Sequence, residues 1–325
     1  MSDMMGGVLG QMAEPMGEED FPLNEGKFCL FVHSGRAALE LLLRNLPRRP
    51  RCLWLPRFSC NTLLQPAEHL GIPVRRYSCD DRLRPLLPTD MAETDALVLI
   101  NYFGLTAQAV ADAAARHNGP VLVDATTAFG AEMPDGADGI FYSFRKFLPV
   151  ADGGAALARY PLTKRPRATD DSSRRMEFLY IRAHLGAEAA AEAARRAEDS
   201  LSGPPLRLSP QTRALLFRIG VNAAAERRLR NYRLLHTALA PLNRLELPET
   251  PASAPMHYPL VSGIPDLRDS LIDNGIALPL YWQEVVDETE AYETENQLAR
   301  TLLPLPLDQR YGDTDMERLI QLILG

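Results

Sequence analysis

Apolar residues in the first half of the chain cluster in short runs closed by polar or small residues. Residues 96–101 and 120–124 are almost unbroken apolar runs, as burial on both faces of a sheet demands. Residues 29–33, 51–55, 74–77, 139–144 and 155–159 have strand length as well. Helical stretches lie between them: 37–46, stopped by Pro47; 61–70, weakened by Pro66; and 107–117. Strands alternating with helices at this spacing predict an α/β fold with a doubly wound, mainly parallel sheet.

After Pro161 the pattern changes. Residues 162–175 are polar and basic and read as a loop, and 176–200 form an Ala-, Glu- and Arg-rich helix ended by Gly203-Pro204-Pro205. One long helical pattern covers 210–239, with Leu215, Ile219, Leu229, Tyr232 and Leu235 at its apolar positions. The proline-rich stretch 241–255 leads to a smaller α+β unit: strand 256–261, helix 266–274, strand 276–280, and helices 288–302 and 313–324. The expected organisation is a flexible arm over 1–20, a large domain over 21–240 and a small C-terminal domain over 241–325.

Composition narrows the class of protein. The 325 residues carry a formal net charge of -7 with 46% hydrophobic and 24% charged residues, the balance of an ordinary soluble chain. Mild acidity argues against a nucleic-acid partner. The arginine runs at 48, 49 and 51 and at 227, 228 and 230 read as solvated faces. Cys29, Cys52, Cys60 and Cys79 form no C-x-x-C pair and have no histidine at zinc spacing, so no metal is expected. Reduced cysteines, no signal-peptide pattern and no apolar stretch of membrane-spanning length predict a cytoplasmic protein without a membrane partner.

Chemistry concentrates where two strand-like segments end. Pro120-Val121-Leu122-Val123 closes on Asp124, and Gly139-Ile140-Phe141-Tyr142 on Ser143-Phe144-Arg145-Lys146, with Asp152-Gly153-Gly154 beyond. An acid and a lysine at adjacent strand ends are what pyridoxal phosphate (PLP) requires. The amine holds the aldehyde as a Schiff base, and the carboxylate keeps the ring nitrogen protonated. Taken singly, Lys146 reads as a surface lysine on a turn, Asp124 as a helix cap and the glycine pair as a hairpin. Ser34-Gly35-Arg36-Ala37 opens a helix after a strand, which makes either a phosphate site or an ordinary serine cap. Arg36 either bonds a phosphate or points to solvent. Phe58, just after a strand, either stacks on a flat ring or belongs to the core.

Together these segments resemble the PLP-dependent sugar aminotransferases of the DegT/DnrJ type, of fold type I, from about Phe31 to the C-terminus. Ser34-Gly35-Arg36-Ala37-Ala38-Leu39 is similar to that family's phosphate turn. Leu55-Pro56-Arg57-Phe58 resembles its ring-covering segment, Ile100-Asn101-Tyr102-Phe103-Gly104 its aromatic-glycine segment, and Val121 to Ala125 its aspartate strand. Gly275-Ile276 with Tyr281, and Leu303 to Leu307, resemble its C-terminal segments. The resemblance implies an aminotransferase acting on a keto sugar or nucleotide-linked sugar with an amino-acid donor. Lys146 and Asp124 would be catalytic. Ser34, Gly35, Arg36, Ala37, Phe58, Asp124, Thr127, Ser143 and Lys146 would bind PLP, and Tyr102, Arg145, Arg207 and Tyr281 would face the substrate. It also implies a homodimer with the active site at the interface.

The sequence departs from the family at several points. Arg36 and Thr127 replace the family's threonine and glutamine, and the Ser143-to-Lys146 spacing is two residues shorter. Leu206-Arg207-Leu208-Ser209 lacks the asparagine that reaches a partner's phosphate. The lysine and aspartate serve lyases, racemases and dehydratases equally. A non-catalytic ligand-binding protein that retains the fold is the alternative of a different class.

Overall fold

The computed structural model describes residues 4–6, 9 and 22–325. Most of the arm expected over 1–20 lies outside the described residues. The chain order is β1 (Cys29–Val32), α1 (Gly35–Asn45), β2 (Leu53–Pro56), α2 (Leu64–Leu70), β3 (Val74–Cys79), β4 (Pro85–Leu86), β5 (Ala96–Ile100), α3 (Ala107–Ala114), β6 (Val121–Asp124), β7 (Gly139–Ser143) and β8 (Gly154–Ala158). These eight strands form one sheet in the order β1-β8-β7-β6-β5-β2-β3-β4. Neighbours from β7 through β6, β5 and β2 to β3 are parallel, while β8 runs antiparallel to both β7 and β1.

Both faces of this sheet are covered, which explains the unbroken apolar runs. Val98, Leu122 and Phe141 pack on one side with Leu39 and Leu42 of α1. Leu97, Leu99, Val121, Val123 and Ile140 face the other side with Val110 and Ala113 of α3. Period-two alternation therefore persists, but each face meets a helix instead of water. Pro66 is tolerated because it falls in the first turn of α2, where its missing N–H has no intrahelical partner to lose.

The second half follows as α4 (Glu177–Asp199), α5 (Pro210–Leu216), α6 (Val221–Leu239), β9 (His257–Leu260), α7 (Leu267–Asp273), α8 (Gln283–Glu288), α9 (Thr294–Thr301), β10 (Leu303–Pro306) and α10 (Asp313–Leu324). Three expectations need correction. The long helix over 210–239 is two helices, because residues 217–220 leave the helical path and Gly220 starts α6 afresh. The helix over 288–302 is shorter: it is helical only over Thr294–Thr301 (α9), and α8 lies before it and ends at Glu288. Asn296 Nδ2 binds the Val286 and Thr289 carbonyls, closing α8 before α9 starts. No strand forms over 276–280. Ile276 makes a single bridge to Met5, with the Ala277 amide on the Met5 carbonyl at 2.7 Å, while β9 takes β10 as its antiparallel partner.

The arginine run of α6 also differs from expectation. Arg227 and Arg230 face solvent and pair with Asp313, but Arg228 is buried at 2% exposure. It lies on the same helical stripe as Ala224, Tyr232 and Leu235.

Candidate active site

The glycine pair brings the two turns of interest together. Gly153 has φ +107°, and a Cβ there would lie 2.8 Å from the Phe144 ring. A Cβ on Gly154 would lie 2.6 Å from the Tyr142 carbonyl oxygen and 2.8 Å from the Ser34 backbone. Only glycines let β8 pass this close, with the Gly153 amide on the His33 carbonyl at 2.7 Å. The Ser34 turn and the Lys146 turn are thereby held side by side.

Between them is a cavity of about 440 Å³ lined by Ser34, Gly35, Arg36, Asp124, Thr126, Thr127, Ser143, Arg145, Lys146 and Tyr281, among others. Asp124 ends β6, and Lys146 closes a single 3₁₀ turn (Phe144–Lys146) directly after β7, its parallel neighbour. The Lys146 amine donates to the Thr126 hydroxyl at 3.0 Å, and the Thr126 amide donates to Asp124 Oδ1 at 2.7 Å. Burial pushes the Lys146 amine below its ordinary range, against the pull of Asp124. Burial pushes the Asp124 carboxyl above its range, against Lys146 and the Thr126 bonds. Each charge is thus sustained mainly by the other.

At the Ser34 turn the same cavity is lined by helix-start amides and two guanidiniums, a cationic cradle. Ser34 caps α1, its hydroxyl accepting from the Ala37 amide at 3.1 Å. Ala37 is therefore already satisfied and does not line the cavity. The amides of Gly35 and Arg36, first in the helix, have no intrahelical partner. The Arg36 and Arg145 guanidiniums converge on one carboxylate, that of Glu198 in the last turn of α4. Arg36 Nη2 lies 2.8 Å from Glu198 Oε1, and Arg145 contacts the other oxygen.

Other sequence candidates stand elsewhere. Phe58 is fully buried outside the cavity lining and packs edge-on against Trp282, with ring centroids 4.6 Å apart. The core reading describes its position, and Trp282, which it packs against, lines the cavity instead. Tyr102 is buried with its hydroxyl on the Phe58 carbonyl at 2.6 Å. Arg207 borders a different cavity, with Glu25 and Arg213, because its backbone bridges Val32 and Thr169. Thr127 reaches the cavity, but its hydroxyl donates to the Asn101 carbonyl at 3.0 Å and accepts from the Phe103 amide.

Lys146 also borders a second cavity of about 580 Å³, shared with Arg145, Arg228, Met256, His257 and Tyr281. The Tyr281 hydroxyl meets His257 Nδ1 at 3.0 Å, and burial, with Arg228 next, pushes the His257 pKa down to about 3. Arg228 braces the lysine turn. It bonds Gln309 at 2.9 Å, Gln309 donates to the Phe147 carbonyl at 2.7 Å, and the guanidinium lies over the Phe147 ring. Sequence reasoning missed Thr126, Trp282, Arg228 and Glu198. Only Arg228 carried a signal, its place on the apolar stripe of α6. Among the described residues no cluster of metal-ligating side chains occurs, and no helix is long and apolar enough to cross a membrane.

Beneath the cradle, Arg175 joins Asp152 (3.0 Å) to Asp170, and Asp152 also takes the Thr212 hydroxyl. All four residues are buried.

No protein-family model and no curated protein matches the sequence. Solved structures do. DesV of S. venezuelae, in complex with a ketimine intermediate, superposes with a TM-score of 0.64 at 20% identity over 91% of this chain and 83% of that one. The aminotransferase TlmJ from Streptoalloteichus hindustanus gives 0.63 at 18% identity over 91% and 85%. A mutant of the dehydratase ColD with bound GDP-perosamine gives 0.62 at 14% identity over 92% and 88%. The fold is thus the α/β fold expected from the sequence, shared with sugar-modifying enzymes of more than one reaction type.

Proposed function

We propose that the chain is a PLP-dependent aminotransferase of the DegT/DnrJ type, acting on a keto sugar or nucleotide-linked sugar with an amino-acid donor. The observation that carries this reading is the Lys146 amine, on the turn after β7, linked through Thr126 to Asp124 at the end of the neighbouring parallel strand β6, in a cavity shared with an arginine-lined helix start. The donor set suits PLP: an amine, a buried acid, two free amides, two guanidiniums and the Ser143 hydroxyl, in a cavity within the usual ligand range of roughly 300–1,000 Å³. When bound, PLP supplies an aldehyde for amines and a ring that takes up carbanion charge.

In this reading Lys146 holds the cofactor covalently. Its lowered proton affinity keeps enough neutral amine to act as nucleophile. With PLP and an amino donor bound, the same amine would be the group that takes and returns the proton at the donor's α-carbon. Thr126 aims the amine, Asp124 would keep the ring nitrogen protonated, and Gly35, Arg36, Ser143 and Arg145 would hold the phosphate. Tyr281, bonded to neutral His257, lines the substrate side. A homodimer in the cytoplasm belongs to the same reading, and sedimentation tests the dimer.

The test uses the full chain with PLP. A visible absorption band is expected, and after borohydride reduction peptide mass spectrometry should find the adduct on Lys146. Absence of the band, or full binding by Lys146→Ala, overturns the reading. The likeness to the dehydratase ColD favours a second reaction on the same site. Conversion of the bound cofactor to its amine form by glutamate separates transamination from dehydration.

A further inference from the structure

We propose that Glu198 is a built-in occupant of the anion cradle, competing with the cofactor phosphate and so setting how tightly the chain holds a phosphorylated ligand. This inference rests on the PLP reading and adds a residue to it. Arg36 and Arg145, the two cations of the cradle, both spend their charge on Glu198. Arg36 also holds the Glu198 carbonyl at 3.2 Å and Gln65 at 3.1 Å. Two guanidiniums and one carboxylate leave a single positive charge. A phosphate dianion added beside Glu198 would leave the cradle net negative, so the two anions exclude one another.

The geometry gives Glu198 a way out. Its side chain is 36% exposed, against 14% for Arg36 and 25% for Arg145. The carboxylate can therefore swing into water while the arginines stay. The helix carrying it is broken at Gly186, where φ is +90°. Residues 187–199 can thus shift without dragging the first half of α4. Among the described residues, these two arginines are the cations that pair with Glu198.

The full chain and Glu198→Gln are titrated with PLP, with pyridoxal, which lacks the phosphate, and with inorganic phosphate. Glu198→Gln should bind PLP at least tenfold more tightly and pyridoxal unchanged. It should melt lower than wild type without ligand, since its arginines lose their counter-charge. It should gain more in melting temperature from inorganic phosphate. Equal PLP affinity in both chains, or an equal gain for pyridoxal, overturns the proposal. If neither chain forms an adduct with PLP or pyridoxal, the PLP reading fails. Inorganic phosphate alone then decides for Glu198, an equal melting shift in both chains counting against it. Should Glu198→Gln not fold, Glu198→Asp, which withdraws the charge by one methylene, should show an intermediate gain.

Discussion

Asp124 ends β6 and Lys146 closes the short turn directly after its parallel neighbour β7, whereas the carboxylate facing Arg36 and Arg145 comes from the last turn of α4. At the lysine end, the backbone ladder of β6 and β7 fixes Asp124 and the start of the Lys146 turn, and one residue, Thr126, joins the two groups through its hydroxyl and its amide. At the anion end, position depends on side-chain pairing between segments far apart in the chain. A sheet holds chemistry rigidly. A helix tethered by ion pairs holds it reversibly, and reversibility suits a site that must admit a charged ligand.

The strongest way to break this contrast is through Arg175, which lies just before α4 and joins Asp152 to Asp170. Arg175→Ala strands two buried carboxylates. It should cost about 3–5 kcal/mol in denaturant unfolding, with proteolysis of native protein starting in residues 163–205 and sparing the sheet. Cleavage starting in the sheet would mean that α4 is not the looser half.

Thr126→Val probes the other end. It removes the hydroxyl that accepts from Lys146 and should cost about 1 kcal/mol of stability, with slower PLP adduct formation and unchanged affinity for inorganic phosphate. A change in phosphate affinity would show that the two ends are not separable.

The smallest effect is a shift of a titration. Labelling of Lys146 by an amine-selective reagent, followed by mass spectrometry, should have its midpoint below the roughly 10.4 of free lysine, because burial disfavours the ammonium. The Asp124 carboxylate favours the ammonium, so Asp124→Asn should move that midpoint lower still. Movement upward would contradict the assigned sign.

The same contrast explains what was legible in the sequence. Asp124, Lys146 and the Ser34 turn stand directly after apolar runs, so local pattern placed them at strand ends on one edge of the sheet. The glycine pair was visible too, though not its reason, which is the Ser34 backbone passing within 2.8 Å of where a Cβ would be. Phe58 has the right neighbours in sequence, yet β2 turns it into the core, and Trp282 from the C-terminal unit takes the cavity wall. Arg228 was hidden in a charged run whose other members face water. Glu198 sits among many charged residues of an Ala- and Glu-rich helix, and nothing in its surroundings marks it. Contacts that depend on where two distant segments meet leave no local spacing to read.

The 3₁₀ turn of Phe144–Lys146 carries a consequence for insertions. Three residues make one turn of such a helix, and this single turn separates Ser143, the extended last residue of β7, from Lys146, both of which reach the cavity. The direction of the amine is thus set by the length of the turn. One residue inserted after Phe144 would rotate the amine by about 120°, away from Asp124, while every side chain of the site remained in the sequence. A scan of one-, two- and three-residue insertions should therefore recover adduct formation with a period of three, a rhythm that no substitution can mimic.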